Sequence, residues 1–499
     1  MNDAAGRDAD GFLTLLQWGG SVIAALWLVM SFTYPFGWDQ GLFAWVGDAI
    51  VRGGLPYRDA WDIKGPLLYY AYAVAQWIFG QHLWSIRAVD AAFVALAVVA
   101  VFRTTAALAD QRAARFAALL FVLWYASHSY WHTAQPDGWA GMLLIGSLGP
   151  MLAGSAPIGG ALNMARAGAY LGFAALLKPF WAVFLALPIL HLGLSKRAGW
   201  GSSLIALLSG WTLPVLLAIG WFAWHGALDD LVDVHLKYSV LYAGLASDNR
   251  LKSLVEYFLS NRVTTIALPV CAYGIVVLWK DRRHAAILLL GWLATTVLLV
   301  SLQGRFYAYH WLPSLPAMTL LVAVGVHDLW FRARPFAQIL CAIILLSCLA
   351  PISLESARFI AWSTGVIDRR GYYDAYGEPG ADMRAVEWLR TSGEPGKIFT
   401  FGWHCSVPWL SGRESVSRFC YSLPLMMGSG TEIQSRYRAE VLAALNADRP
   451  TYIVIGQLSE QILGMRLTVA DFPELAELVQ TKYHQVAQFS TITIHEISH

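Results

Sequence analysis

Long apolar runs separated by short polar breaks dominate the first 351 residues. A helix needs roughly 17–25 mostly apolar residues to cross a hydrocarbon core. Runs of that kind fall near 14–35, 84–108, 113–130, 138–154, 203–224, 263–279, 285–301, 312–330 and 335–351. The apolar stretch 167–192 is broken by Lys178-Pro179, and proline cannot continue a regular helix. The pattern therefore predicts two short, bent spans meeting at that break, and about eleven crossings in all.

The segment 36–83 has a different rhythm. From Gln40 to Arg52, Leu42, Phe43, Trp45, Val46, Ala49 and Ile50 recur at helical spacing, and Gly53-Gly54 ends the run. Pro66 opens a second apolar helix, Leu67 to Phe79. Such a helix spans only ~20 Å, short of the ~30 Å core. Two helices lying in the membrane interface are predicted. Beyond residue 351 the pattern shortens. It predicts a helix over Asp382–Arg390, strands over Lys397–Phe401 and Thr451–Ile455, a helix over Phe472–Lys482 and one final strand over Gln485–Ile497.

Composition sharpens this picture. The 499 residues are 57% hydrophobic and 14% charged, with a mean hydropathy of +0.50; soluble domains carry about 25% charged residues. A single soluble globule, a disordered chain and a disulfide-rich secreted scaffold are excluded. A net charge of +2 does not suit a nucleic-acid partner. Charge is also uneven, with 29 Asp, Glu, Lys and Arg in the 148 residues from Ile352 and 39 in the 351 before them. The expected fold is a polytopic α-helical membrane domain, 1–351, followed by a small α/β domain, 352–499.

Basic residues orient the chain. With the N-terminus inside, the short inside loops hold Arg112 and Arg115, Arg166, Lys196 and Arg197, Lys280, Arg282 and Arg283, and Arg332 and Arg334. The long loops 36–83 and 225–262 and the C-terminal domain then lie outside, which in a bacterium is the periplasmic side of the inner membrane. Met1 to Asp10 is short and polar, so no cleaved leader is expected. Of five cysteines, Cys271, Cys341 and Cys348 sit in apolar spans. Cys405 and Cys420 are the pair in the outer domain, where a disulfide and two packed thiols are equally expected. No cysteine pair has zinc-site spacing.

Several polar residues fall on the expected outer side. Asp39, in Tyr-Pro-Phe-Gly-Trp-Asp-Gln-Gly, suits a helix N-cap slightly better than a carboxylate base that takes the proton of an attacking hydroxyl, and the two roles can coexist. Lys64, in Trp-Asp-Ile-Lys-Gly-Pro, precedes a helix N-terminus, where free N–H groups and a cation together attract phosphate; the competing reading is a lysine reaching lipid headgroups. Arg305, Tyr307, Tyr309 and His310 cluster at the outer end of a span as a phosphate or pyranose site. Arg58, Asp59, Asp62, Asp137 and Lys178 complete the candidates for sugar or acceptor contacts. Asp137 after Pro136 also suits a plain turn residue, and Lys178 is costly inside an apolar run.

These residues stand in motifs that resemble GT-C glycosyltransferases, in the branch holding protein O-mannosyltransferases and lipid A aminoarabinose transferases. The resemblance runs through Asp39 in the first outer loop, Arg52-Gly-Gly-Leu-Pro-Tyr-Arg-Asp, Lys64-Gly-Pro-Leu-Leu-Tyr, the stretch Leu171 to Pro179, Arg305 through Pro316, and Leu410-Ser-Gly-Arg-Glu-Ser-Val-Ser-Arg-Phe. It spans nearly the whole chain, through short motifs. It implies inverting transfer of a sugar from a polyprenyl-phosphate donor, undecaprenyl phosphate in a bacterium, to a glycan, lipid or protein acceptor. It implies Asp39 as base and Lys64, with Arg305 and His310, as donor-phosphate contacts. Two departures stand out. Asp39-Gln40 replaces the Asp-Glu of many relatives, which bears on any metal role, and Lys64-Gly-Pro replaces Lys-Pro-Pro. No cofactor is implied, and a divalent metal is not indicated. The competing functions are a flippase for lipid-linked glycans, which needs no outer base, and a polymerase or ligase using a diphosphate-linked donor.

Overall fold

A computed structural model describes residues 18–154, 160–195, 199–244, 250–456 and 468–498. The chain divides into two compact units, each gathered from separated segments. The first unites Met1–Phe32, Arg87–Ala218 and Asp248–Ala357; the second unites Thr33–Ile86, Ile219–Ser247 and Arg358–His499. The C-terminal segment thus folds with stretches from both expected outer loops.

The first unit is helical. It contains α1 (Trp18–Ser31), and after the second unit's α2 (Trp38–Val51) and α3 (Pro66–Phe79) come α4 (Leu83–Leu108), α5 (Gln111–Ala126), α6 (Pro136–Leu152) and α7 (Ala161–Leu177). A 3₁₀ turn (Pro179–Leu185) leads into α8 (Ala186–Ser195), followed by α9 (Trp200–Trp224), α10 (Arg250–Ser260), α11 (Arg262–Asp281), α12 (Arg283–Gln303), α13 (Leu315–Arg332) and α14 (Arg334–Ser363). Among the described residues, six helices are long and apolar enough to cross a membrane: α4, α9, α11, α12, α14 and α13 with its preceding 3₁₀ turn. The break at Lys178-Pro179 is present. Lys178 is extended (φ −151°, ψ 121°) and separates α7 from the 3₁₀ turn, as the missing proline donor requires. Helices meet where side chains vanish: a Cβ on Gly274 would lie 2.2 Å from the Leu321 carbonyl, so α11 and α13 touch backbone to backbone. The inside-loop residues Lys196 and Arg197 lie outside the described residues.

In the second unit α2 and α3 are 14 residues each and pack along one another. The C-terminal part adds α15 (Glu378–Thr391), β1 (Ile398–Phe401), α16 (Ser406–Ser411), α17 (Glu432–Ala447), β2 (Tyr452–Gly456), α18 (Pro473–Lys482), β3 (Tyr483–Phe489) and β4 (Ile492–Ile497). The sheet order is β1-β2-β4-β3, with β1 parallel to β2 and the other pairs antiparallel. The single final strand expected over 485–497 is instead a hairpin. Its turn at Ser490 has φ 54°, a conformation that serine gives little signal for.

Gln76 ties the unit together. Its amide donates to the Ala44 carbonyl of α2 (2.8 Å), and its oxygen accepts from Trp409 Nε1 of α16 (2.9 Å). Gly41 of α2 would meet the Ser406 backbone at 2.9 Å if it carried a Cβ, so this approach demands glycine.

Candidate functional site

Asp39 lies one residue inside α2. Gly37, not Asp39, is the N-cap residue, and the buried Gln40 side chain accepts from the Gly37 N–H (2.9 Å). Gln40 therefore satisfies the helix start. Asp39 is half-buried in the first turn of α2.

Lys64 is fixed through its backbone. Its N–H donates to Tyr69 Oη (2.9 Å) and its carbonyl accepts from Tyr57 Oη (2.8 Å). Gly65 caps α3 with φ −71° and ψ 155°, angles open to any residue. The replacement of a second proline by Gly65 does not leave this turn loose, because two tyrosines hold it. Tyr57 itself has φ 71°, in a tight turn where its N–H donates to the Ala60 carbonyl (2.7 Å). A bulky residue in that region is strained and persists only where its surroundings enforce it. Here the enforcing contacts are the Lys64 carbonyl and His235 Nε2, 3.1 Å from Tyr57 Oη.

Asp62 stands at the centre. It is buried, and its carboxylate accepts from the Ile63 N–H (2.7 Å), Tyr69 Oη (2.8 Å) and Tyr421 Oη (3.2 Å). Burial pushes its pKa up; the Lys64 ammonium, the Ile63 N–H and Tyr69 pull it down, and the Asp39 charge raises it again. Asp39, Asp62 and Lys64 are thus within electrostatic reach of one another. Arg58 and Asp59 are exposed and paired (2.8 Å); Asp59 also accepts from the Leu55 N–H and Arg58 donates to the His225 carbonyl. Their observed contacts shape the loop.

The remaining candidates belong to the first unit. Lys178 Nζ lies 2.6 and 2.8 Å from the two oxygens of Asp137, and both side chains are buried. The Lys178 ammonium also stands 5.5 Å from the ring centres of Phe180 and Tyr309. Tyr309 packs edge-on against His310 (4.5 Å) and stacks with Tyr307 (5.8 Å). Arg305 lines a 690 Å³ cavity with Arg262, Glu256, Tyr257, Asn261 and His128. Helix α10 closes one side of it: Ser253, Glu256, Tyr257 and Ser260 face the cavity, while Leu251 and Leu259 are exposed. Among the described residues no three His, Cys, Asp or Glu side chains gather as a metal site.

Sequence reasoning missed Tyr57, Tyr69, Tyr421 and His235. The first two stand in quoted motifs, yet tyrosine at a membrane surface is too common to single out. Tyr421 and His235 are remote in sequence and carried no signal.

The architecture matches solved structures closely in extent. ArnT from Cupriavidus metallidurans bound to undecaprenyl phosphate superposes with a TM-score of 0.66, at 13% identity, over 97% of each chain. The same enzyme in the apo state gives 0.67 over 98% of each. The chain shares the fold of these ArnT structures. The archaeal oligosaccharyltransferase AglB from Archaeoglobus fulgidus, in complex with an inhibitory peptide and a dolichol-phosphate, gives a TM-score of 0.52 at 13% identity, over 96% of this chain and 74% of that one. No family model and no curated protein sequence matches. Within this fold, Asp39 stands in the first turn of α2, and Asp62 and Lys64 stand in the loop just before α3.

Proposed function

We propose that this protein is an inverting glycosyltransferase that moves a sugar from a polyprenyl-phosphate donor to an acceptor hydroxyl on the outer side of the membrane. One observation carries the reading: a half-buried carboxylate on a helix start and a lysine clamped before a helix N-terminus share electrostatic reach through Asp62. Likeness in fold to an ArnT bound to undecaprenyl phosphate supports it. The chain would cross a bacterial inner membrane about eleven times and carry 352–499 in the periplasm.

Asp39 takes the proton of the acceptor hydroxyl as its oxygen attacks the anomeric carbon. The bond from that carbon to the donor phosphate breaks on the opposite face, inverting the configuration. Lys64, with the α3 N-terminus, holds the phosphate that leaves. Arg305, whose planar fork suits phosphate oxygens, and His310 are assigned to the donor phosphate as well, Tyr307 and Tyr309 to the sugar or acceptor.

Donor binding and single-turnover transfer, measured on purified variants, test this. Asp39→Asn keeps size but cannot accept the proton, so it should bind donor and lose roughly 10²–10⁴-fold in transfer. Lys64→Ala should weaken donor binding and slow transfer together. Near wild-type transfer by Asp39→Asn would refute the base assignment and favour a lipid-linked glycan flippase.

A further inference from the structure

Two arms of the C-terminal segment reach the candidate site from the same side chain pair. The arm 402–405 carries Trp403, which stacks on Trp38 of α2 at 5.7 Å, next in sequence to Asp39. The arm 420–422 carries Tyr421, which donates to Asp62. The arms lie against each other: the Ser422 N–H donates to the Gly402 carbonyl (2.9 Å) and the Trp403 and Tyr421 rings are 5.1 Å apart. At their junction Cys405 and Cys420 are each 1% exposed, and their side chains hydrogen-bond to each other.

We propose that Cys405 and Cys420 are a modification site, oxidised to an intramolecular disulfide that clamps Trp403 and Tyr421 onto the residues around Asp39 and Asp62. The inference rests on the outward orientation given above, since disulfides persist on the oxidising side of a membrane. The other three cysteines lie in apolar helices: Cys271 in α11, and Cys341 and Cys348 seven residues apart on α14, which at 1.5 Å per residue is roughly 10 Å and too far to bridge.

The step balances as thiol–disulfide exchange. A Cys405 or Cys420 thiolate attacks the disulfide of an oxidising protein, and the second thiolate displaces that protein from the mixed disulfide. The pair loses two protons and two electrons, and the oxidant leaves as a dithiol. Burial raises the Cys405 thiol well above its ordinary pKa, and its hydrogen bond to Cys420 adds to this. The closed protein is therefore a poor substrate. Oxidation belongs to folding, before the arms close.

The test uses the full-length protein in its own membrane. Cells are dissolved directly in denaturant containing excess N-ethylmaleimide, and the protein is digested without reduction and analysed by mass spectrometry. The expected result is a linked pair of peptides containing Cys405 and Cys420, short of two hydrogens. In the same digest Cys271, Cys341 and Cys348 should be alkylated, which proves that the reagent reached buried thiols. Alkylated Cys405 and Cys420 would overturn the proposal. A Glu477→Cys reporter then separates the causes. Labelled in intact cells by a membrane-impermeant maleimide, it leaves the orientation standing and the pairing wrong. Labelled only after lysis, it removes the orientation and the pairing with it.

Discussion

Asp62 holds the backbone beside the proposed phosphate contact through one intermediary. Its carboxylate fixes Tyr69, and Tyr69 fixes the Lys64 backbone. Tyr69→Phe removes one hydroxyl and leaves both the Lys64 N–H and one Asp62 oxygen without that partner. A buried group so stranded costs about 1–3 kcal/mol. Thermal stability should fall accordingly, and the donor concentration at half-maximal rate should rise more than the maximal rate falls. A loss confined to the maximal rate, measured by donor titration, would show that Tyr69 acts on the chemistry and not on Lys64. His235 offers a pH handle on the same loop. Burial lowers its pKa from 6.5 to about 4. The unfolded chain therefore binds a proton more readily, and stability falls as the pH drops from about 6.5 towards about 4. His235→Gln should flatten that slope in melting curves of the detergent-solubilised protein. Asp39 and Lys64 were legible in sequence because each stands beside a helix-start signal. Tyr421 was not, because only the folded chain brings residue 421 to residue 62.

At the scale of elements, legibility followed periodicity and chemistry that acts locally. The break at Lys178-Pro179 was readable because proline removes a donor wherever it stands. The β3–β4 turn was not, since Ser490 adopts φ 54° without glycine or asparagine to announce it. The partner of Lys178 was equally hidden: Asp137 lies 41 residues earlier, at the first turn of α6, and the two close a buried ion pair between α6 and the α7 break. Breaking such a pair from one side leaves an uncompensated charge, at about 3–5 kcal/mol, while replacing both partners by apolar residues is often neutral. Asp137→Leu and Lys178→Met should each lower stability strongly, and the double variant should regain most of it. Because Asp137 already neutralises Lys178, donor affinity in the folded double variant should stay near wild type. A stable double variant that no longer binds donor or transfers sugar would return both residues to the sugar or acceptor site.

The whole molecule turns on orientation, which hydrophobic patterning alone leaves two-fold ambiguous. Charge breaks the tie. Arg112 and Arg115 follow the turn between α4 and α5, Lys280, Arg282 and Arg283 surround the turn between α11 and α12, and Arg332 and Arg334 flank the turn between α13 and α14. These are short connections of one parity, and basic short loops stay inside. In the proposed orientation the C-terminal sheet faces outward with α2, α3, Asp39 and Lys64. The native protein supplies its own silent background, because all five cysteines are buried. Glu477 on α18 and Arg112 at the start of α5 are both exposed, so a cysteine at either is open to reagent. In intact cells a membrane-impermeant maleimide should label Glu477→Cys at once. Arg112→Cys should stay unlabelled until the inner membrane is breached. Each variant needs only retained transfer activity to show that it is folded. The reverse pattern would put Asp39 and Lys64, the proposed base and phosphate contact, on the inside, and would overturn the proposed transfer on the outer side.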